Sequence, residues 1–163
     1  TGGTTVAGIA GDNTRGTWTV SGNTFINGSG AGVVFIASGT DSGTFIVTNN
    51  TMTNNGLGAI ALVSQDTSNV KASVVGNTFS GNNTVTGDAF EAVCTGNSTF
   101  CLDLENNTND DDYRVGEFSA GALSIEQFAA LTTAQPAGAG NTGNVIDSST
   151  GTITDVTDGF CGF

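Results

Sequence analysis

The sequence predicts an all-β chain wound as a parallel β-helix of about 27-residue coils, and three observations predict it. A short signal recurs as Val20-Ser-Gly-Asn23-Thr-Phe25, Val47-Thr-Asn-Asn50-Thr-Met52, Val74-Val-Gly-Asn77-Thr-Phe79 and, more loosely, Leu104-Glu-Asn-Asn107-Thr-Asn109. Its asparagines recur at a period of about 27 residues, the last step being three longer, and a fixed period of this size marks a solenoid. A second block keeps the same register: 33–37 aligns with 60–64 one period on, and with 90–94 after a further period lengthened by the same three. One three-residue insertion, in the turn from Gly81 to Gly87, accounts for both irregularities. Finally, the chain is rich in Gly, Thr, Asn and Ser, with regularly spaced apolar spots and no helical period before residue 120.

Each coil then holds three strands. The first runs near 17–20, 44–47, 71–74 and 101–104, the second begins at the Asn-Thr-Phe signal, and the third covers 33–37, 60–64 and 90–94. Alternation assigns their faces. On the first strand Trp18/Val20, Phe45/Val47, Ala72/Val74 and Leu102/Leu104 point inward, and Thr17, Thr44, Lys71 and Cys101 point out. On the third, Val33/Phe35, Ile60/Leu62 and Phe90/Ala92 point inward. Five or so buried side chains per coil, worth about 1.5–3 kcal/mol each, barely offset the ordering entropy of one coil, so coils are stable only when stacked. Asn23, Asn50, Asn77 and Asn107 fall on one corner of successive coils. Stacked amides there can bond along the axis and cap turn N–H groups, which favours a structural ladder over a ligand site.

The two ends differ. Val6 to Ile9 match Val33 to Ile36, so the chain begins in mid-coil and leaves Val6 and Ile9 on an uncovered upper end. An unpaired strand edge recruits other chains, which makes this end the expected assembly surface, toward an upstream domain or identical subunits. Residues 1–109 read as coils and 110–163 as a closing segment. Within the latter, 124–131 reads as a short helix with Ser124 as N-cap and Gln127 at the capping-box position. Pro136 and Gly138 end it, and 151–156 reads as one more strand.

The repeats resemble the right-handed parallel β-helix of the pectin-lyase-like superfamily. They are more closely similar to repeat regions of large bacterial secreted and surface proteins, of the autotransporter-passenger kind. Val74-Val-Gly-Asn77-Thr-Phe79 carries the repeat, Cys101-Leu-Asp-Leu-Glu-Asn-Asn107-Thr resembles a closing coil, and Gly151-Thr-Ile-Thr and Cys161 match a closing segment. The resemblance covers 16–109 well and 110–163 loosely. It implies the C-terminal segment of an extracellular structural or adhesion scaffold, with host or surface glycans as partners. A self-stacking filament subunit and a polysaccharide lyase or hydrolase are the alternatives, since one fold carries many functions.

Charge and residue types narrow the chemistry. Three cations against fifteen acids give a net charge of −12, which excludes a phosphate-binding surface for nucleic acid and disfavours anionic membranes. No apolar run approaches the roughly 18 residues of a membrane span, so no membrane insertion is expected. The absence of histidine removes His-based triads and most zinc sites. Lys71 and Asp103 are placed to form a cross-strand ion pair. Asp103, Glu105 and Glu91 are the carboxylates that could serve glycoside hydrolysis, but carboxylates on a polar face are usually only solvated, and no catalytic residue is assigned. Asp110, Asp111 and Asp112 form the one dense acidic cluster, a candidate for Ca2+ that lacks the spacing of an EF-hand loop. No other cofactor is expected.

Cysteine parity separates the thiols. Cys94 lies on the inward set, as a buried free thiol, whereas Cys101 faces out. The favoured bond is Cys101–Cys161, with Cys94–Cys101 across the intervening turn as its rival, and either implies an oxidising compartment. Two outer surfaces stand out. The third-strand outward set, Val34/Ile36, Ala61/Val63 and Glu91/Val93, is almost wholly apolar and calls for cover, either by the helix around Phe128 or by a partner. A flat threonine rank of the kind that orders ice is not expected, because the column Thr17, Thr44, Lys71, Cys101 breaks after two coils and no other column reads as clean.

Overall fold

The computed structural model describes residues 7–82, 88–133 and 139–163. Among the described residues, sixteen strands, every pair parallel, make three sheets that wrap one core. The first sheet contains, from top to bottom, β1 (Ile9–Gly11), β4 (Val33–Ala37), β7 (Ile60–Ser64), β10 (Asp88–Cys94), β13 (Asp112–Glu117) and β15 (Asn144–Asp147). The second contains β2 (Gly16–Ser21), β5 (Ser42–Thr48), β8 (Asn69–Val75), β11 (Thr99–Glu105), β14 (Ala122–Glu126) and β16 (Thr154–Val156). The third contains β3 (Thr24–Ile26), β6 (Thr51–Thr53), β9 (Thr78–Ser80) and β12 (Thr108–Asn109). Phe45 pairs with Ala72 and Phe35 with Leu62, each one period on, and Leu62 pairs with Ala92 across the lengthened period. The parallel β-helix and its period are therefore those read from the repeat. The 83–87 part of the inserted turn, like Val6, Pro136 and Gly138, lies outside the described residues.

The parity assignment holds through the stack. Phe35, Phe45, Leu62, Ala72, Phe90, Leu102 and Leu104 are buried, and Phe35 stacks on Phe45 at 4.8 Å between ring centroids. Trp18 is the exception. It pairs with Phe45 on the inward parity and touches Phe35, yet remains 41% exposed. Trp18 sits on the uppermost strand of its sheet, where the small inward side chain of Val20 is still buried but the larger indole ring is left partly uncovered.

Three expectations need correction. At the top, Ile9 pairs with Val33 rather than with Ile36. The turn between Gly11 and Gly16 is three residues shorter than that between Phe35 and Gly43, their register partners. The shorter turn slides β1 by three against the alignment of the repeat. At the bottom, the coils do not stop at Asn109. The first sheet continues with β13 and β15 and the second with β14 and β16. The helix also starts later than expected. Ser124 belongs to β14 and pairs with Thr154, and the helix α1 spans Phe128–Thr133 after Gln127, whose φ is +54°. Leu123 and Ile125 continue the two-residue alternation, with Ile125 beside Leu102. Ladder hydrogen bonds and core burial on both sides outweigh the local capping signal of Ser124. The helix enters between β14 and Asn141, packs on β15 and β16, and buries Leu131 beneath the stack.

Tyr113 occupies the core column below Phe90 and is fully buried, its ring touching Phe79 and Phe90. Its hydroxyl has no hydrogen-bond partner among the described residues, and burial pushes the phenol well above its ordinary pKa. A buried unpaired hydroxyl costs about 1–3 kcal/mol. Tyr113→Phe removes that cost and keeps the ring contacts. The variant is expected to gain about 1 kcal/mol or more in urea unfolding, and a loss of stability would show that the hydroxyl is satisfied in solution.

Candidate functional site

The predicted asparagine corner is the most highly organised polar feature of the molecule. The Asn50 amide oxygen accepts from the Asn23 backbone N–H at 2.9 Å and from its Nδ2 at 3.2 Å. Asn77 repeats the arrangement on Asn50 at 3.0 and 3.0 Å, and Asn107 repeats it on Asn77 at 2.9 and 2.9 Å. Each Nδ2 of the interior members also donates to a carbonyl of the coil above: Asn50 to Val20, Asn77 to Val47, Asn107 to Val74. Asn50, Asn77 and Asn107 are buried with their amides fully used.

The ladder extends beyond the four expected members. Asn141 stands below Asn107, accepting from its N–H and Nδ2 at 3.0 Å each. The segment between them is longer than one period because it contains α1, which masks this copy in the sequence. A second ladder runs along another corner. Asn55 accepts from Gly28 N–H, and Asn82 accepts from Asn55 N–H and Nδ2. The signal for it is present in the sequence, since Asn55 and Asn82 are also one period apart.

The acidic residues are divided among different surroundings. Asp110 accepts from the Gly81 N–H and the Ser80 hydroxyl, whereas Asp112 accepts from Asn144 Nδ2. The backbone N–H of Asp111 donates to Asn109 Oδ1, and burial, then neighbouring carboxylates, raise the Asp111 pKa. Among the described residues no set of three His, Cys, Asp or Glu side chains is disposed to hold a metal ion. Glu91 lies exposed on the outer face of β10, between Ala61 and Arg114, on a different sheet from Asp103 and Glu105 of β11.

Around Asp103 the structure departs from expectation. Lys71 does not pair with it: the ammonium donates to the Cys161 carbonyl at 2.8 Å. The C-terminal residues Asp158 to Phe163 turn back over the outer face of the second sheet, and the Cys101–Cys161 disulfide holds them there with Cα atoms 5.6 Å apart. Asp103, outward by parity, is therefore buried, and the same cover displaces Lys71 from it. Cys94 is the buried free thiol, beside the Ser98 hydroxyl, and its pKa is raised chiefly by burial. The rival Cys94–Cys101 pairing is not formed.

Two outer faces also differ from expectation. The apolar face of the first sheet is not covered by α1, which packs at the lower end on β15 and β16. Ala10, Val34, Leu57 and Ala61 line a shallow depression of about 400 Å3 there, with Glu91 at its edge. On the third sheet, Thr24, Thr51, Thr78 and Thr108 stack in register and all four are exposed. This is a clean threonine column, contrary to the expectation that none exists. It consists of the Thr of the Asn-Thr-Phe signal itself, on the second strand of each coil, whereas the broken columns belong to the first. The adjacent outward column, Ile26, Thr53 and Ser80, is mixed.

Comparison with known proteins returns no matching family model, no matching curated protein and no matching solved structure. What the geometry defines is a class, the parallel β-solenoid with three sheets. Among the described residues no helix is long and apolar enough to cross a membrane.

Proposed function

We propose that the chain is an extracellular structural module, a stacked β-helix of the kind found in bacterial surface proteins, working as stalk or adhesion scaffold. The observation that carries this reading is the axial asparagine ladder, five members long, in which the buried amides are spent on holding one coil to the next. Side chains so used are unavailable to a ligand, and the order they impose runs along the axis of a rod. The resemblance to pectin-lyase-like and autotransporter-passenger repeats supports the same reading, and the disulfide fits an oxidising compartment.

A scaffold of this kind joins its neighbours end to end, through the upper end. Trp18 is 41% exposed there, Ile9 and Phe25 are half-buried, and the Asn23 side-chain oxygen accepts no hydrogen bond among the described residues. β1, β2 and β3 each have one unpaired edge among the described residues. A further coil, from an upstream segment or a second copy, would pair these edges and continue the ladder. Ile9→Asp combined with Trp18→Ser is expected to abolish concentration-dependent association in light scattering while leaving the coils folded. A wild-type chain that stays monomeric at all concentrations would contradict an assembling upper end. The scaffold reading itself predicts no cleavage of pectic, alginate or other uronate polymers with Ca2+ present, and turnover lost on Asp103→Ala or Lys71→Ala would overturn it.

A further inference from the structure

The hook formed by Asp158 to Phe163 is attached at four points. Glu126 accepts the Gly159 N–H at 2.9 Å and the Cys161 N–H at 2.6 Å, Lys71 donates to the Cys161 carbonyl, and Cys101 is bonded to Cys161. Every attachment comes from the outer face of the second sheet, and together they leave one group beneath the hook unsatisfied. Asp103 is 7% exposed, and one carboxyl oxygen accepts from the Ser73 hydroxyl at 2.8 Å. The other is buried and, among the described residues, has no hydrogen-bond partner.

The charges around Asp103 oppose its ionisation. Glu126 follows it on the next strand, since Leu102 pairs with Ile125. Asp158 approaches from the hook, and both raise the Asp103 pKa, though less than burial does. Glu105 is two residues along the same strand and is itself raised, by burial first and then by Asp103, Asp158 and Glu126. On the upper side β8 supplies the Ser73 hydroxyl and Lys71, whose ammonium is committed to the Cys161 carbonyl, and β5 supplies only Thr44, Ile46 and Thr48. On β16, Asp155 pairs with the inward Ile125 and so has the opposite parity.

We propose that the C-terminal hook is a proton-dependent clasp, closed most tightly when the Asp103 carboxyl beneath it is neutral and loosened when that carboxyl ionises beside Glu126 and Asp158. A buried carboxyl with one unpaired oxygen tolerates the neutral form better than the charged form, whose solvation the hook removes. Closing the hook therefore makes Asp103 bind its proton more tightly than it does with the hook open. By linkage, closure is favoured below the raised pKa of Asp103 and is penalised as the pH rises through it. The disulfide limits how far the loosened hook can travel, and loosening uncovers Asp103 and Glu126, two carboxyl side chains buried beneath the closed hook.

Hydrogen exchange of the Gly159 and Cys161 amides in the disulfide-bonded protein tests this. Protection, corrected for intrinsic rate and referred to the Asn77 amide as an internal standard for global opening, is expected to be at least about tenfold greater near pH 4 than near pH 7. Asp103→Asn, neutral at both values, should hold high protection throughout. Protection that is independent of pH, that falls in acid, or that keeps its wild-type pH dependence in Asp103→Asn would overturn the proposal.

Discussion

Replacing Asn77 with alanine is expected to destabilise the protein by about 3–5 kcal/mol, the largest effect of any single polar substitution in the stack. The cost follows from what is left behind. Asn77 accepts both the backbone N–H and the Nδ2 of Asn50, and it donates to the Val47 carbonyl and to Asn107. All of these groups are buried, so water cannot replace the missing amide, and each orphaned donor or acceptor costs about 1–3 kcal/mol. Asn77→Asp keeps the acceptor but loses the donor and places a carboxylate against the Asn107 oxygen, so it should be no better tolerated. Asn23 provides the internal control. It stands at the exposed top of the ladder, and its alanine variant is expected to cost no more than about 1 kcal/mol. Urea unfolding of the two variants side by side measures the contrast, and equal losses would show that the corner is not a buried axial ladder.

Breaking the Cys101–Cys161 bond is expected to cost about 4 kcal/mol, and to lower the thermal midpoint by about 10 °C, because it releases a loop of 60 residues in the unfolded chain. The loop closes most of the lower half of the stack, including α1, β15 and β16. The paired variant Cys101→Ser, Cys161→Ser should unfold at the midpoint of the reduced wild type. Cys94 supplies a built-in readout, since it is buried and free and reacts with a thiol reagent only on opening of the core. Faster modification of Cys94 should accompany loss of the disulfide. An unchanged midpoint after reduction would mean that the hook contributes nothing to holding the lower coils.

The repeat is legible because its period is written in residues that have no substitute. An amide combines a carbonyl acceptor with two N–H donors and so bonds the coils above and below at once, which makes Asn23, Asn50, Asn77 and Asn107 stand out even where their neighbours vary. Inward apolar parity is legible for a related reason: shifting β4 by one residue would expose Val33, Phe35 and Ala37 together. Features set by the ends of the stack and by insertions cannot be read in this way. Trp18 has the right parity, but on the uppermost strand its large ring is left partly uncovered while the smaller Val20 is buried. β13 to β16 lack the Asn-Thr-Phe signal at the expected spacing, because turns shorten and α1 intervenes before Asn141. Ser124 carries a good capping sequence that loses to the sheet.

The environment of Asp103 is hidden by distance in sequence. Alternation correctly places it on the outer face with Lys71 as its nearest cation. Nothing local to residue 103 indicates that a hook more than fifty residues later will lie over it, take Lys71 for the Cys161 carbonyl and bury a carboxyl that should meet water. The outward parity of Cys101 is the one available clue, because a disulfide from an outer face must bring its partner onto that face.

Buried asparagine amides that bond coil to coil along the axis are the central feature of this fold. Scalar couplings across hydrogen bonds in isotope-labelled protein observe them directly. The Asn50 backbone nitrogen is expected to couple to the Asn77 side-chain carbonyl carbon, and the Asn77 nitrogen to that of Asn107. Couplings from these nitrogens to other acceptors, or amides at Asn50 and Asn77 that exchange as fast as solvent-exposed ones, would contradict an axial ladder.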